Sequence, residues 1–168
     1  MTVTRSALRR SVSALLVAGL SLAGVALTAS PASASSFEVT TTADAGAGSL
    51  RDAIALANAN AGDDTITFQA GLGDVIITSG PLLVTEGVTF DGPGSSELSI
   101  VRNGSFSLFT VNIANTATAL DVTFDGLDFI GNSISDTGLA IEFIAGDPEV
   151  DDITLSDTVF GGFANTYE

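Results

Sequence analysis

The segment VTFDG at Val88–Gly92 indicates a repeat fold, because it recurs as VTFDG at Val122–Gly126 and, more loosely, as ITLSD at Ile153–Asp157. The residues that follow each copy also match. They read LSIVRN at 98–103, LDFIGN at 127–132 and TVFGGFAN at 158–165. SLFTV at 107–111 corresponds to GLAIE at 138–142, which divides the last part of the chain into two 31-residue units, Ser107–Thr137 and Gly138–Glu168. Such self-similarity is typical of a repeat architecture.

Apolar and polar residues alternate within each copy, which predicts short β-strands. A unit of about 30 residues cannot bury its own apolar face, but copies stacked in parallel and in register share one core. An antiparallel β-sandwich is the alternative, and it gives no reason for VTFDG to recur with its flanking residues. The sequence therefore predicts an all-β fold, a parallel β-helix (solenoid). Its core is predicted to contain Phe90, Phe124, Phe129, Phe143 and Phe160.

One segment breaks the strand pattern. SLRDAIALANANA at 49–61 predicts a single amphipathic helix, in which Ser49 and Asp52 form an S-x-x-D capping box. The apolar stripe of this helix comprises Leu50, Ala53, Ile54, Ala57 and Ala61. Because the first turn of a solenoid has no neighbour, we expect this helix to cover the open end of the core. Residues 35–68 are therefore assigned to an N-terminal cap and residues 69–168 to the β-helix turns.

The first 34 residues have the parts of a secretory signal peptide in the right order. A basic start with Arg5, Arg9 and Arg10 precedes an apolar segment at 12–29, and Ala32-Ser33-Ala34 supplies the cleavage pattern. An uncleaved membrane anchor is the alternative, but the apolar segment is rich in Ala, Gly and Ser. We therefore expect cleavage after Ala34 and a secreted, extracellular protein without membrane insertion, retained at the cell surface or released.

The charge of the exported part limits its partners. All 20 acidic residues follow position 34, and only Arg51 and Arg102 oppose them, which leaves a net charge of −18. A chain this acidic is a poor ligand for nucleic acid or for an anionic membrane surface. It has no cysteine, so its stability must come from apolar burial and backbone hydrogen bonds.

The N-terminal residues resemble those of a known family. FEVTTT at 37–42, GSLRDAI at 48–54, ANAN at 57–60 and DTITF at 64–68 are similar to exported bacterial proteins with a CSLREA-type N-terminal segment, related to polymorphic outer-membrane-protein and adhesin-like repeats. The resemblance implies a right-handed parallel β-helix, capped by the helix, with an adhesive or unassigned function. Gly48 stands where the family has the cysteine that gives the segment its name.

The sequence argues against a catalytic site. β-helix hydrolases of the polygalacturonase type use a Gly-His-Gly segment and an Arg-x-Lys pair, and this chain has neither His nor Lys. Lyase chemistry needs a base beside bound Ca²⁺. The basic candidate, Arg102, is interpreted as a charge-balancing surface residue in a loop, and Asp151-Asp152 as a solvated turn. We expect no enzyme activity and no cofactor.

Two further sets of residues have structural or ligand-binding interpretations. Asn103 and Asn132 occupy equivalent places in their turns, with Asn165 as the third, and are predicted to stack and hydrogen-bond between turns. Calcium binding without catalysis stays open because acidic residues crowd near turns, although no EF-hand or GGxGxD motif is present. These residues are Asp121, Asp125, Asp128, Asp147, Glu149, Asp151 and Asp152.

Three hypotheses remain, and one of them, that the chain is a fragment of a larger surface protein, is compatible with the first of the two functions that follow. The first is a structural or adhesive surface module that presents a sheet face to a glycan or a surface protein. The alternative is an N-terminal fragment of a polysaccharide lyase-like or hydrolase-like β-helix enzyme whose active site lies outside this chain. Because Asn165–Glu168 provide no recognisable cap, we also expect an open C-terminal turn through which the protein can associate with itself.

Overall fold

The repeats form the strands of three parallel sheets in a computed structural model, which describes residues 33–112, 121–132, 138–144 and 152–163. The strands alternate with turns, and one helix follows the first strand. The elements are β1 (Ser36–Val39), α1 (Leu50–Ala59), β2 (Asp64–Phe68), β3 (Val75–Ile77), β4 (Leu82–Val84), β5 (Val88–Asp91), β6 (Ser99–Arg102), β7 (Phe109–Asn112), β8 (Val122–Asp125), β9 (Asp128–Ile130), β10 (Ile141–Ile144), β11 (Ile153–Ser156) and β12 (Val159–Gly161).

Each sheet collects strands from successive turns of the chain. Sheet A has the order β1-β2-β5-β8-β11, sheet B the order β3-β6-β9-β12, and sheet C the order β4-β7-β10. Every strand pair is parallel. The chain therefore passes through the three sheets in turn and returns to sheet A, which confirms the predicted parallel β-solenoid with one short N-terminal helix.

The strand register agrees with most of the sequence alignment. Val88 lies opposite Val122, and Val122 opposite Ile153, as the VTFDG copies predict. Ser99 lies opposite Asp128, and Asp128 opposite Val159, as the second part of the repeat predicts.

The alignment of 107–111 with 138–142 is wrong by one residue. Phe109 lies opposite Ile141 rather than Ala140, and Val111 lies opposite Phe143 rather than Glu142. The predicted register would have placed the Glu142 carboxylate beside the buried Val111, because a slip of one residue exchanges the two faces of a strand. In the observed register Glu142 is exposed. Because Phe109 pairs with Ile141 rather than with Ala140, this turn of the solenoid is one residue longer than the alignment assumed.

The glycine of VTFDG is required by the close stacking of turns. Gly126 has φ +63°, and a Cβ there would lie 2.7 Å from the backbone oxygen of Gly92. The turns are joined by hydrogen bonds from Gly92 N–H to Asp125 O (2.9 Å) and from Gly94 N–H to Gly126 O (3.0 Å). Asp157 takes the corresponding place in the third copy with φ 41°, a conformation that aspartate tolerates better than most residues.

The core consists of the inward residues of all three sheets. Phe90 and Phe124 stack with ring centroids 4.7 Å apart, and Phe129 packs edge-on against Phe124 at 5.4 Å; all three are fully buried. Phe160 contacts Phe129 at 5.3 Å but is 45% exposed, so its predicted place in the core is only partly correct. The side chain of Phe143 lies outside the described residues.

The helix α1 closes the first turn of the solenoid. Leu50, Ala53, Ile54 and Ala57 are buried against β1, β2 and β4, whereas the fifth predicted member of the stripe, Ala61, lies beyond the helix and is exposed. The helix therefore ends two residues before the predicted boundary at 61.

Ser49 is the N-cap of α1. Its side chain accepts a hydrogen bond from the Asp52 N–H (3.2 Å), and the Asp52 carboxylate accepts one from the Gly48 N–H (3.1 Å). The second bond reaches one residue further back than in a standard capping box, because the Ser49 N–H bonds instead to Gly46 O.

Residues 1–32, which hold most of the predicted signal peptide, lie outside the described residues. Within the described ranges, no helix is long and apolar enough to span a membrane.

Candidate functional site

The outward face of sheet A carries a column of hydroxyl groups, one from each strand. Ser36 lies opposite Thr65, Thr65 opposite Thr89, Thr89 opposite Thr123, and Thr123 opposite Thr154. This hydroxyl column arises from the alternation of the strands: inward neighbours such as Ile66, Phe90 and Phe124 are buried, so the residues between them face solvent.

A second column runs beside the hydroxyl column, two residues further along each strand. It contains Glu38, Thr67, Asp91, Asp125 and Ser156, which are in register from β1 to β11. We call this set the acidic column. Neighbouring strands are about 4.8 Å apart, so the two columns form a regular grid of hydrogen-bonding groups.

The other two sheets present different surfaces. The outward residues of sheet B include Ile76, Val101 and Ile130, which are in register, and Ile76 is 46% exposed. In sheet C the corresponding column runs from Leu83 through Thr110 to Glu142. Of the described faces, only that of sheet A is polar along its whole length.

Asn103 and Asn132 lie at equivalent places, each directly or shortly after its strand, and both are exposed. The hydrogen bonds of the described residues include none between their side chains; the Asn103 backbone N–H bonds to Ile77 O (2.8 Å). The corresponding residue after β12 is Phe163, and Asn165 lies outside the described residues.

The acidic residues considered for calcium are dispersed where they are described. Asp121 and Asp152 are exposed residues just before β8 and β11, whereas Asp125 and Asp128 lie within β8 and β9. Among the described residues, no group of three or more potential ligands is placed to hold a metal ion. Asp147, Glu149 and Asp151 lie outside the described residues.

The expectation that Arg102 is a surface residue in a loop is wrong. It is the last residue of β6 and is fully buried. Its Nη1 donates to the Phe106 carbonyl (2.6 Å), and its guanidinium carbon lies 5.0 Å from the centre of the Phe163 ring. A Cβ at Gly138 would overlap Nη1, so the side chain is enclosed and is not placed to act as a base on a bound polysaccharide.

Sequence reasoning missed a polar network at the N-terminal end. The Asp44 carboxylate accepts hydrogen bonds from Arg51 (Nη2, 2.8 Å), from the Thr78 N–H and hydroxyl (3.0 and 2.9 Å) and from the Ser79 N–H (2.7 Å). Burial raises the pKa of Asp44, but the hydrogen bonds from Arg51, Ser79 and Thr78 outweigh burial and hold the pKa well below its usual range.

Polar side chains at this end of the solenoid also cover the edge of sheet C. Arg51 also donates to the carbonyls of Gly80 (2.9 Å) and Pro81 (2.7 Å), just before β4. Asn58 of α1 donates to Leu83 O (2.8 Å) and accepts from Thr85 N–H (2.9 Å), as a neighbouring strand would. The signal in the sequence was Arg51 itself, one of only two bases after position 34.

No family model matches the sequence, and neither a curated protein nor a solved structure matches it. The resemblance to proteins with a CSLREA-type segment therefore stays a prediction.

Proposed function

We propose that this chain is an exported, non-catalytic β-solenoid module that binds glycan through the outward face of sheet A. The observation that carries the proposal is the hydroxyl column, in which five strands each contribute a Ser or Thr in register. Hydroxyl groups both donate and accept hydrogen bonds, and the adjacent carboxylates accept them. A ligand that carries many hydroxyl groups satisfies such a face.

The composition of this face favours a glycan over a protein partner. The centres of protein interfaces are enriched in aromatic residues, Met and Arg and depleted of Asp, Glu and Ser. The two columns of sheet A consist of Ser, Thr, Asp and Glu alone. A protein partner would therefore find few of the apolar anchors that usually hold an interface together.

A role without catalysis is supported by the residues that are missing from the sequence and by the place of Arg102. The chain has no His and no Lys, and Arg102 is enclosed in the core. Binding that relies on repeated hydrogen bonds over several strands needs no perturbed acid or base.

Export is supported by the order of the parts in residues 1–34 and by the acidity of the rest of the chain. Its test is the intact mass and N-terminal sequence of the protein secreted by an exporting bacterial host. A chain that begins at Ser35 supports the proposal, and a chain that retains Met1 contradicts it.

The binding face is tested with isosteric substitutions. The triple variant Thr65→Val, Thr89→Val and Thr123→Val removes three hydroxyls but keeps β-branched side chains suited to strands. The control Val101→Thr makes the reverse change on sheet B. Both proteins and the wild type are assayed for co-sedimentation with insoluble polysaccharides and by calorimetry with a panel of soluble glycans.

We expect the triple variant to bind at least about tenfold more weakly, since each lost hydrogen bond contributes roughly 0.5–1.5 kcal/mol. The Val101→Thr control should bind as the wild type does. Equal binding by the triple variant would rule out this face. A wild type that binds no glycan but retains a surface protein would favour the protein-binding alternative.

A further inference from the structure

A buried carboxylate lies at the start of the first complete turn. Asp64 is the first residue of β2 and is fully buried. Its Oδ1 accepts hydrogen bonds from the Ser35 backbone N–H (2.8 Å) and from Asn60 Nδ2 (2.8 Å). Its Oδ2 is buried and has no hydrogen-bond partner among the residues that the structure describes.

This arrangement is energetically incomplete. A buried charge is costly unless it is paired with an opposite charge and its oxygens are hydrogen-bonded. Asp64 has no ion-pair partner among the described residues. The two arginines after position 34 contact other residues: Arg51 pairs with Asp44, and Arg102 contacts Phe106 and Phe163.

The donor to Asp64 is the residue that follows the predicted cleavage site. Ser35 comes directly after Ala32-Ser33-Ala34, and its backbone nitrogen is the atom that cleavage would convert into a new N-terminus. We propose that Asp64 is the receptor for this N-terminus, and that its carboxylate forms a buried ion pair with the α-ammonium of Ser35 in the secreted protein. The inference rests on the export proposed above.

The chemistry of processing supplies the missing partner. Hydrolysis of the Ala34–Ser35 peptide bond by a signal peptidase consumes one water, leaves a carboxylate on Ala34, and converts the single N–H of Ser35 into an ammonium with three hydrogens. One hydrogen keeps the existing bond to Oδ1, and another becomes available to Oδ2. The positive charge also offsets the buried negative charge of Asp64.

Ser35 is held in place independently of the residues that cleavage removes. Its carbonyl accepts a hydrogen bond from the Thr65 N–H (2.8 Å), which extends the pairing of β1 with β2. Its hydroxyl accepts a bond from Asn60 Nδ2 (3.1 Å). These two bonds keep the Ser35 nitrogen beside Asp64 after residues 1–34 are lost.

Cleavage also removes contacts, so the ion pair has a structural role. In the uncut chain the Ser33 N–H donates to Ala61 O (3.0 Å), and the Ser33 carbonyl accepts from Asn60 Nδ2 (2.8 Å). Both bonds tie the start of β1 to the end of α1. The ion pair between Ser35 and Asp64 would replace them and fasten the first strand of the secreted protein.

The test exploits the absence of lysine. After cleavage the α-amino group of Ser35 is the only amine in the chain, because all five bases of the sequence are arginines. The secreted protein is treated with an amine-reactive N-hydroxysuccinimide ester, and labelling of the N-terminal peptide is followed by mass spectrometry in native buffer and in urea. Asp64→Asn is compared with the matched control Asp63→Asn, which changes the exposed neighbouring carboxylate.

We expect the N-terminus to be Ser35, and its labelling to be at least about tenfold slower in the native protein than in urea, because a paired, enclosed ammonium reacts only after local opening. Asp64→Asn should remove this protection, and Asp63→Asn should retain it. If Asp64→Asn does not fold, the wild type still tests the proposal, because equal labelling rates in native buffer and in urea would overturn it.

The outcomes separate the two proposals. A Ser35 N-terminus that is labelled equally fast in native buffer and in urea overturns the ion pair and leaves export intact. Protection that persists in folded Asp64→Asn also overturns it. A chain that keeps Met1, or one cut at another residue, overturns both the cleavage site and the receptor role of Asp64.

Discussion

The two ends of the described solenoid show what a neighbouring layer does for the same strand pattern. At the N-terminal end Leu50 and Ile54 of α1 are buried, and polar side chains pair with the edge of sheet C. In the last described strands Leu155 and Phe160 lie opposite Phe124 and Phe129, which are fully buried, yet Leu155 is 49% exposed. Inward position alone therefore does not bury a side chain, because burial also needs the next layer.

The largest predicted effect contrasts two leucines at these ends. Leu50→Ala should lower the free energy of unfolding by about 2–5 kcal/mol, because it opens a cavity between α1 and the first turn. Leu155→Ala should cost less than about 1 kcal/mol, since half of that side chain is already in solvent. Urea denaturation of both variants, followed by circular dichroism, measures the difference.

Equal losses of stability in the two variants would contradict this contrast between the two ends. They would mean that the β11–β12 end is covered in solution, and the self-association predicted from the sequence would then be the first explanation to examine. A mass that rises with protein concentration, measured by light scattering, would identify that case.

The second prediction contrasts two glycines. Gly126→Ala should destabilise the protein by roughly 2–4 kcal/mol, because alanine resists the positive φ and its Cβ would press against the Gly92 backbone. Gly161→Ala should change stability by less than about 0.5 kcal/mol, since no atom of the described residues lies within 4 Å of its added Cβ. Thermal unfolding compares the two variants, and a tolerated Gly126→Ala would contradict the close stacking of the turns.

The third prediction concerns acid. Because the pKa of Asp44 is lowered in the folded protein, its stabilisation is fully present above the ordinary aspartate pKa of about 3.9. It is lost as the pH falls below that value, since the unfolded chain then binds the proton first. Asp44→Asn should cost about 2 kcal/mol at neutral pH and should flatten the fall in stability below about pH 4.

Urea midpoints between pH 6 and pH 2 test this expectation. Asp74→Asn serves as the control, because it removes an exposed carboxylate from a turn. If the stability of both variants depends on pH as that of the wild type does, Asp44 does not hold the loop between β1 and α1 to Thr78 and Ser79 in the way the hydrogen bonds indicate.

The features predicted from sequence were those that repeat or that act locally. VTFDG recurs with its flanking residues, so the parallel register of β5, β8 and β11 in sheet A followed directly from alignment. Ser49 and the apolar stripe of α1 lie within a few residues of each other, and a helix forms from such local signals.

The features that escaped prediction depend on partners far away along the chain. Arg102 looked like a surface residue because its enclosure by Gly138 and Phe163 is a tertiary contact. The burial of Asp64 was not predicted, because the residue that bonds to it, Ser35, lies 29 positions away. The hydroxyl column was missed since it becomes visible only when strands from five parts of the chain are set side by side.

The smallest predicted effect concerns Asn58, which substitutes for a missing strand at the edge of β4. Asn58→Ala removes its bonds to Leu83 O and Thr85 N–H. Because alanine also favours the helix by a few tenths of a kcal/mol, the net loss of stability should be only about 1 kcal/mol. A change in stability this small does not identify the contact.

Hydrogen exchange tests the contact directly. The Thr85 amide should exchange faster in the variant, whereas the Leu82 amide, bonded to Leu108 O (2.9 Å), should keep its protection. If Thr85 stays as protected as in the wild type, the helix closes the core through its apolar face alone, and the contrast between the two ends reduces to apolar burial.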